Sequence, residues 1–444
     1  MSSPAPVLSG PLPARDPDGS WLSRIDTAAS GLGVDVGLYA LSTIFAAVTA
    51  RNVGLPPHGA WGRMAVAGYA AATLLAVAQL LGRHFKPTNP LAGTTSRAAL
   101  TAMTFAATAL FPMIVEAVQR AGGRTDRAQD EIYVIENGGT RLWHTGTPYL
   151  SHDAIAALPS SAQLDAYLPY QPGMALYGLP RAVFGVHWWT DARVWFALTL
   201  ILTVAAAVWL LRRTARATAL LRAVQAVTVL PICALTIATG GDDLVILGFC
   251  LLAFAFAARE RFGAAGVAVG VAGAMKLFAW PVALVLLALA ATRGSRAAVR
   301  YAIGAIALPI VTLIPAILVD RGATIENVIR FPLGQTDVKS PAASPLPGHL
   351  IADNVPGGKI IATLLLVMAA IAIGLWLLRR PPRSASAAAT ISAWGLIAAI
   401  MLIPATRFGY LLYPVAYAVW AAALRSSALR HGVRSMAVEP QAAG

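Results

Sequence analysis

The chain has 444 residues, of which 57% are hydrophobic and only 12% charged, about half the charged share of a soluble domain. That excludes a disordered, fibrous or ordinary water-soluble protein and fits a polytopic membrane protein of helices, which satisfy their own backbone in lipid. A formal net charge of +14 would suggest a nucleic-acid partner in a soluble chain, so the placement of the charge decides its meaning.

Residues 1–32 are rich in Pro, Ser and Asp and carry no apolar run, which predicts a flexible cytosolic tail. A single transmembrane domain is expected over 33–428, followed by a second cytosolic tail over 429–444. Apolar segments fall at 34–50, 64–82, 98–118, 193–211, 219–238, 243–258, 263–275, 277–292, 301–319, 360–378, 387–404 and 409–424. Most reach the roughly 20 residues that span the hydrocarbon as a helix. The pair 263–275 and 277–292 is short and interrupted by Lys276. It predicts a hairpin of short or re-entrant helices, with glycines 263, 266, 270 and 273 allowing close packing. Cys233 and Cys250 lie inside apolar runs and read as buried thiols.

Arginine clusters at 212–222, 259–261, 293–300, 379–383 and 425–434 fall on one side when the twelve segments alternate. By the positive-inside rule that side is cytosolic, and both termini join it. It then holds 20 Lys/Arg against 6 Asp/Glu, and the external side 14 against 14. The basic excess is thus a topology signal facing anionic lipid, and no nucleic-acid partner is implied. The expected localisation is the plasma membrane, multi-pass, with the lipid bilayer as a partner. Two long external segments follow, 119–191 and 320–358. Long loops of this kind usually carry function.

The first external segment mixes acids, aromatics, glycines and prolines. If 128–137 is helical, Asp130, Tyr133 and Glu136 share a face. A carboxylate there can act as a general base or bind sugar hydroxyls. Lys276 is a charge inside an apolar hairpin, which marks it as functional or as a lysine reaching for the surface. Arg407 precedes the last helix, and a guanidinium suits phosphate oxygens. Arg330, Lys339 and His349 are further cations in the second external segment, while Arg141 and Arg181 read as structural. Asp242 and Asp243 stand at a helix start, as caps or as ligands for hydroxyls. Trp143, Tyr149, Tyr167, Tyr170, Tyr177, Trp188 and Trp189 are interfacial or sugar-stacking aromatics. Trp143 and Tyr149 are the two favoured for substrate.

Asp130-x-x-Tyr133, then Gly146-Thr147-Pro148-Tyr149, then Tyr167/Pro169 and Tyr170/Pro172 resemble the first external loop of GT-C glycosyltransferases. GVAVGVAGAMKLFAWPV, FPLGQTDVKSPAASPLPGHL and RFGYLLYP are similar to later segments of family 87, the polyprenyl-phosphate-mannose-dependent mannosyltransferases. The likeness covers roughly 125–425 and leaves the first two helices unmatched. It implies an all-α, GT-C-like bundle of about 12 hydrophobic segments. Asp130 would be the general base, with Glu131, Asp126 and Asp243 as alternatives. The implied donor-phosphate cations are Lys276, Arg407, Arg330, Lys339 and His349. Tyr133, Trp143, Tyr149 and Asp242 would meet acceptor or sugar. The implied reaction is inverting transfer of a sugar, mannose first and arabinofuranose second, from a polyprenyl-phosphate donor to an envelope glycolipid or polysaccharide at the outer face. One carboxylate and one or two cations suffice for it, with neither metal nor cofactor. The alternative from another class is a transporter or flippase. Twelve spans and an intramembrane lysine fit it, but the long mixed loops and the lack of repeat symmetry do not.

Overall fold

The computed structural model describes residues 31–436, with side chains through Arg425. The expected N-terminal tail lies almost wholly outside the described residues. The last helix continues to Met436, past the expected domain end at 428. Among the described residues everything regular is helical, save one isolated bridge between Ala343 and Thr406.

All twelve apolar segments are helices. They are α1 (Leu32–Thr49), α2 (Pro56–Phe85), α3 (Thr94–Ala121), α5 (Ala192–Leu211), α6 (Ala217–Thr228) with α7 (Pro231–Thr239), and α8 (Asp243–Ala258). Then come α9 (Phe262–Gly273), α10 (Trp280–Ala291), α11 (Ser295–Val319), α12 (Gly358–Arg379), α13 (Ala385–Leu402) and α14 (Leu412–Met436). An extra helix, α4 (Asp130–Thr145), lies in the long segment 119–191 between α3 and α5. The expected count of spans needs correction. Among the described residues seven helices are long and apolar enough to cross a membrane, or eight if the bent pair α6–α7 is one span. Helices α8, α9 and α10 are apolar but short. The chain is a multi-pass membrane protein.

Prolines set the irregularities, because each removes a backbone donor. Pro231 follows the break between α6 and α7, where the axis turns by 44°. The Val229 carbonyl near that break accepts from the Tyr69 hydroxyl at 2.8 Å. In α3 a π turn over Ala106–Leu110 precedes Pro112, and the Thr108 carbonyl that Pro112 cannot serve accepts from Trp61 Nε1 at 2.7 Å. Both repairs keep buried carbonyls satisfied away from water.

Ion pairs tie helix ends together. Asp35 of α1 accepts from Arg97 of α3 and from Arg222 of α6. Arg293 meets Glu260 and the Arg383 carbonyl.

Helices α9 and α10 form the expected hairpin, with Lys276 at its tip. Close approach fixes α9 on α11. A Cβ on Gly270 would lie 2.3 Å from the Gly304 carbonyl oxygen, and one on Gly304 2.6 Å from the Val267 nitrogen. Gly270→Val should therefore cost about 1–3 kcal/mol by overpacking. Thermal unfolding in detergent checks this. Gly374→Val, whose Cβ would meet nothing within 4 Å on α12, should leave the midpoint unchanged.

Candidate active site

The site is assembled on α4. Its first turn holds Asp130 and Glu131, which complement the positive end of the helix dipole. Gln129 is the N-cap, and its backbone N–H donates to the Thr239 carbonyl at 2.9 Å. That bond places the start of α4 against the turn 239–243. The close approach needs Gly240, which has φ 118° and whose Cβ would stand 2.3 Å from Ile132 Cγ1.

Further along, α4 is bound by buried charge. Glu136 receives Arg120 of α3 at 2.6 and 2.9 Å, and Arg181 at 3.1 Å. Arg120 also reaches Asp191, which pairs with Arg193 at 2.8 Å. Arg193 closes the network on Glu116 at 3.4 Å and on the carbonyls of Arg127 and Ala238. Burial opposes ionisation of Asp191, but Arg193 and Arg120 outweigh it and hold the carboxyl well below its usual range.

The second half of the site is the tip of the α9–α10 hairpin. The carbonyls of Ala274 and Met275, left open where α9 ends, accept from the backbone N–H groups of Gly173 and Gln171 at 2.9 and 3.0 Å. This docks the 119–191 segment on the hairpin and brings Tyr170 to Lys276. The Lys276 ammonium is 8% exposed and donates to Asp242 at 2.9 Å and Asp243 at 2.6 Å. The rings of Tyr170, Tyr410 and Phe278 surround it at 5.2, 5.4 and 5.8 Å. Tyr413 donates to the same Asp243 oxygen at 2.8 Å. Burial, with Asp243 adjacent, raises the Asp242 carboxyl despite Lys276. Two carboxylates against one ammonium leave this floor with a surplus of negative charge.

Arg407 joins the two halves. It is ion-paired to Glu131, and Tyr410 and Tyr170 act on it electrostatically. Asp130, the neighbour of Glu131, is exposed and hydrogen-bonds to none of the described side chains. Partial burial and the Glu131 charge raise its carboxyl, while Arg407 lowers it. Asp165 feels the charges of both Asp130 and Glu131.

Six of the residues singled out in the sequence thus share one cleft: Asp130, Glu131, Asp242, Asp243, Lys276 and Arg407. Others stand elsewhere or are occupied. Asp126 is bound by Arg124 and Arg127. Arg330 pairs with Glu326, Lys339 is exposed, and His349 contacts the Pro404 carbonyl at 3.0 Å. Tyr149 was expected to meet sugar, but it is 3% exposed and donates to the Tyr170 carbonyl, so its ring belongs to the core. Tyr133 lies under Arg120 and donates to Thr125 O, and Trp143 is 58% exposed on α4. Arg141, read as structural, donates to the Pro148 carbonyl at 2.8 Å. Sequence reasoning missed Tyr413 and Asp165. The spacing of Tyr410 and Tyr413 by three residues, one helix face, was an available signal for the first.

Beside Met275 opens an apolar cavity of about 560 Å³. Leu176, Tyr177 and Phe184 line one wall, and Val271, Ala274 and Leu308 the other.

An all-helical membrane domain with a cluster of carboxylates and cations near an apolar cavity defines a class of membrane protein that brings polar groups together at helix ends. Residues 167–404 match the family described as glycosyltransferase family 87. The match spans more than half of the chain, and the protein belongs to that family: it is a membrane glycosyltransferase. No curated protein matches the chain. Two solved structures resemble it, both ArnT from Cupriavidus metallidurans at 19% identity. One, bound to undecaprenyl phosphate, has a TM-score of 0.46 over 76% of this chain and 63% of that one. The apo state has a TM-score of 0.43 over 76% and 62%. The chain spans less than two thirds of ArnT.

Replacing Lys276 with Met should leave Asp242 and Asp243 buried without their counter-ion. Breaking a buried pair from one side costs about 3–5 kcal/mol. The deficit should shrink as pH falls from neutral, because protonating one raised carboxyl removes the repulsion. Unfolding in detergent at several pH values checks both parts. A K276M protein as stable as wild type would remove the proposed counter-ion role.

Proposed function

We propose that the protein transfers a sugar, mannose as the first candidate, from a polyprenyl-phosphate donor to a hydroxyl of an envelope glycolipid or polysaccharide. The cleft would open at the outer face, with inversion at the anomeric carbon. The observation that carries this reading is Asp130, a carboxylate without a hydrogen-bond partner among the described side chains, in the same cleft as Arg407. A base must be free to take the acceptor proton, and a leaving phosphate needs a cation.

In this mechanism an Asp130 oxygen accepts the proton of the acceptor hydroxyl as that oxygen attacks the anomeric carbon. The bond from sugar to phosphate breaks and the phosphate departs with the electron pair. Arg407 is the cation best placed for it. Its side chain is partly exposed and held only by Glu131 among charged partners, so phosphate oxygens can compete for the guanidinium. Lys276 has a different part from the one expected. Its ammonium is engaged by Asp242 and Asp243, so it organises the floor, with two of its three donors occupied. The Asp242 and Asp243 oxygens suit sugar hydroxyls. The apolar cavity next to Met275 suits the first isoprene units of the carrier, which would enter between α9, α11 and the 172–184 segment.

Asp130→Asn should lower kcat by about 10²–10⁴-fold, read as polyprenyl phosphate released from polyprenyl-phosphate-mannose by purified protein. Equal turnover in wild type and D130N would overturn the assignment of the base. The pH profile supplies a separate check. Asp130 works ionised, and its carboxyl is raised by burial and Glu131, so activity should fall as pH drops through a value above the ordinary carboxylate range. Glu131→Gln removes a neighbouring charge and frees Arg407. Both changes move the acid limb to lower pH, and an unmoved limb counts against Asp130 as the titrating group.

A further inference from the structure

We propose that His58, on a helix outside the family match, is a positioning residue that holds Asp130 and Glu131 through Gln129. The inference rests on the preceding reading of the cleft and adds to it a contribution from the N-terminal hairpin α1–α2. That hairpin, like Asp130 and Glu131 themselves, precedes the matched residues 167–404, and no residue singled out in the sequence for the site lies on it.

The hairpin reaches the cleft because of how its turn is built. Asn52 Oδ1 accepts from the backbone N–H groups of Gly54 and Leu55 at 3.0 and 3.1 Å. Pro56 and Pro57 then start α2 without wasting donors. His58 therefore stands in the first turn of α2, at the end that faces α4. Its Nε2 lies 3.1 Å from Gln129 Nε2. With the amide donating, Nε2 accepts and the ring proton sits on Nδ1, which is buried without a partner. Glu131 is the charged group whose field acts on the ring.

Gln129 is held from two directions. Its side chain meets His58 of α2, and its backbone N–H meets Thr239 O at the end of α7. Its own carbonyl accepts from Ile132 at 3.0 Å and opens α4. The next residue is Asp130. The ion pairs at Glu136 grip α4 beyond its first turn. Within that turn the other grip is Glu131 on Arg407. A donor phosphate that draws Arg407 away from Glu131 removes this second grip at the moment of reaction. The His58–Gln129 contact then keeps the carboxylate of Asp130 in register. A shift of about 1 Å in a reacting group is enough to cost one to two orders of magnitude in rate.

The test compares full-length wild type, His58→Ala, His58→Gln and His84→Ala in detergent. His84 stands at the other end of α2 and serves as the control. H58A should lose about tenfold in kcat with the KM for polyprenyl-phosphate-mannose little changed. H58Q, which offers an amide near the former Nε2, should recover most of the loss. Amide hydrogen exchange over residues 125–135 should quicken in H58A and stay at the wild-type rate in H84A. A merely destabilised fold would raise exchange throughout and would not be rescued by glutamine. Wild-type kcat and exchange in H58A, or an H58Q as slow as H58A, would overturn the proposal. Should wild type itself release no polyprenyl phosphate, the reading of the reaction fails. Exchange over 125–135 then still decides the clamp, quickened in H58A for it and unchanged against it.

Discussion

Charge removed from water must find charge. Two buried arginines, Arg120 and Arg193, and the half-buried Arg181 meet three buried acids, Glu116, Glu136 and Asp191, in one connected set. The set joins α3, α4 and the start of α5, and through the Ala238 carbonyl it reaches α7. Such networks are poor sources of net stability, because desolvation cancels much of the attraction. Their effect is directional: any arrangement that separates one member leaves a bare charge at the membrane boundary. The 119–191 segment therefore lies down on the helix bundle in one way, and the first turn of α4 faces the hairpin tip at Lys276.

The cleft that results has a division of labour in its charges. At the rim, Asp130 is exposed, and Arg407 is partly exposed beside the more buried Glu131. At the floor, Lys276 is locked between two carboxylates and three aromatic rings. A rim cation can give up its carboxylate to a phosphate dianion at small cost, since water screens the separated charges. A floor cation cannot, because separation there leaves unscreened charge. The same electrostatics that make Lys276 conspicuous in the sequence take it out of direct competition for a phosphate.

Much of the helical architecture was legible because lipid imposes a simple rule. An apolar run must become a helix, so all twelve runs could be read off, as could the short hairpin around Lys276. What misled was length as a proxy for crossing: α8, α9 and α10 are apolar because they are buried in protein, and they fall short of a full span. The site was legible where a charge stood in apolar sequence, as at Lys276, or beside turn residues, as at Asp242 and Arg407. It was illegible where the partner came from a distant element. Tyr149 and Tyr133 read as residues for acceptor or sugar, yet their hydroxyls donate to backbone carbonyls. Nothing local in the sequence around His58 indicates that it would meet Gln129, 71 residues away.

The low charged share and the apolar runs together determined a multi-pass helical membrane protein, because transfer free energies are additive along the chain. The ordered motifs carried the family. Tertiary structure alone decided which acids and cations neutralise each other. That outcome depends on which helix ends share a face and on which polar groups lose their water, and neither quantity is local in sequence. So Asp130 is left free while Asp126 and Glu131, a few residues away, are bound, and only the packed structure separates the three.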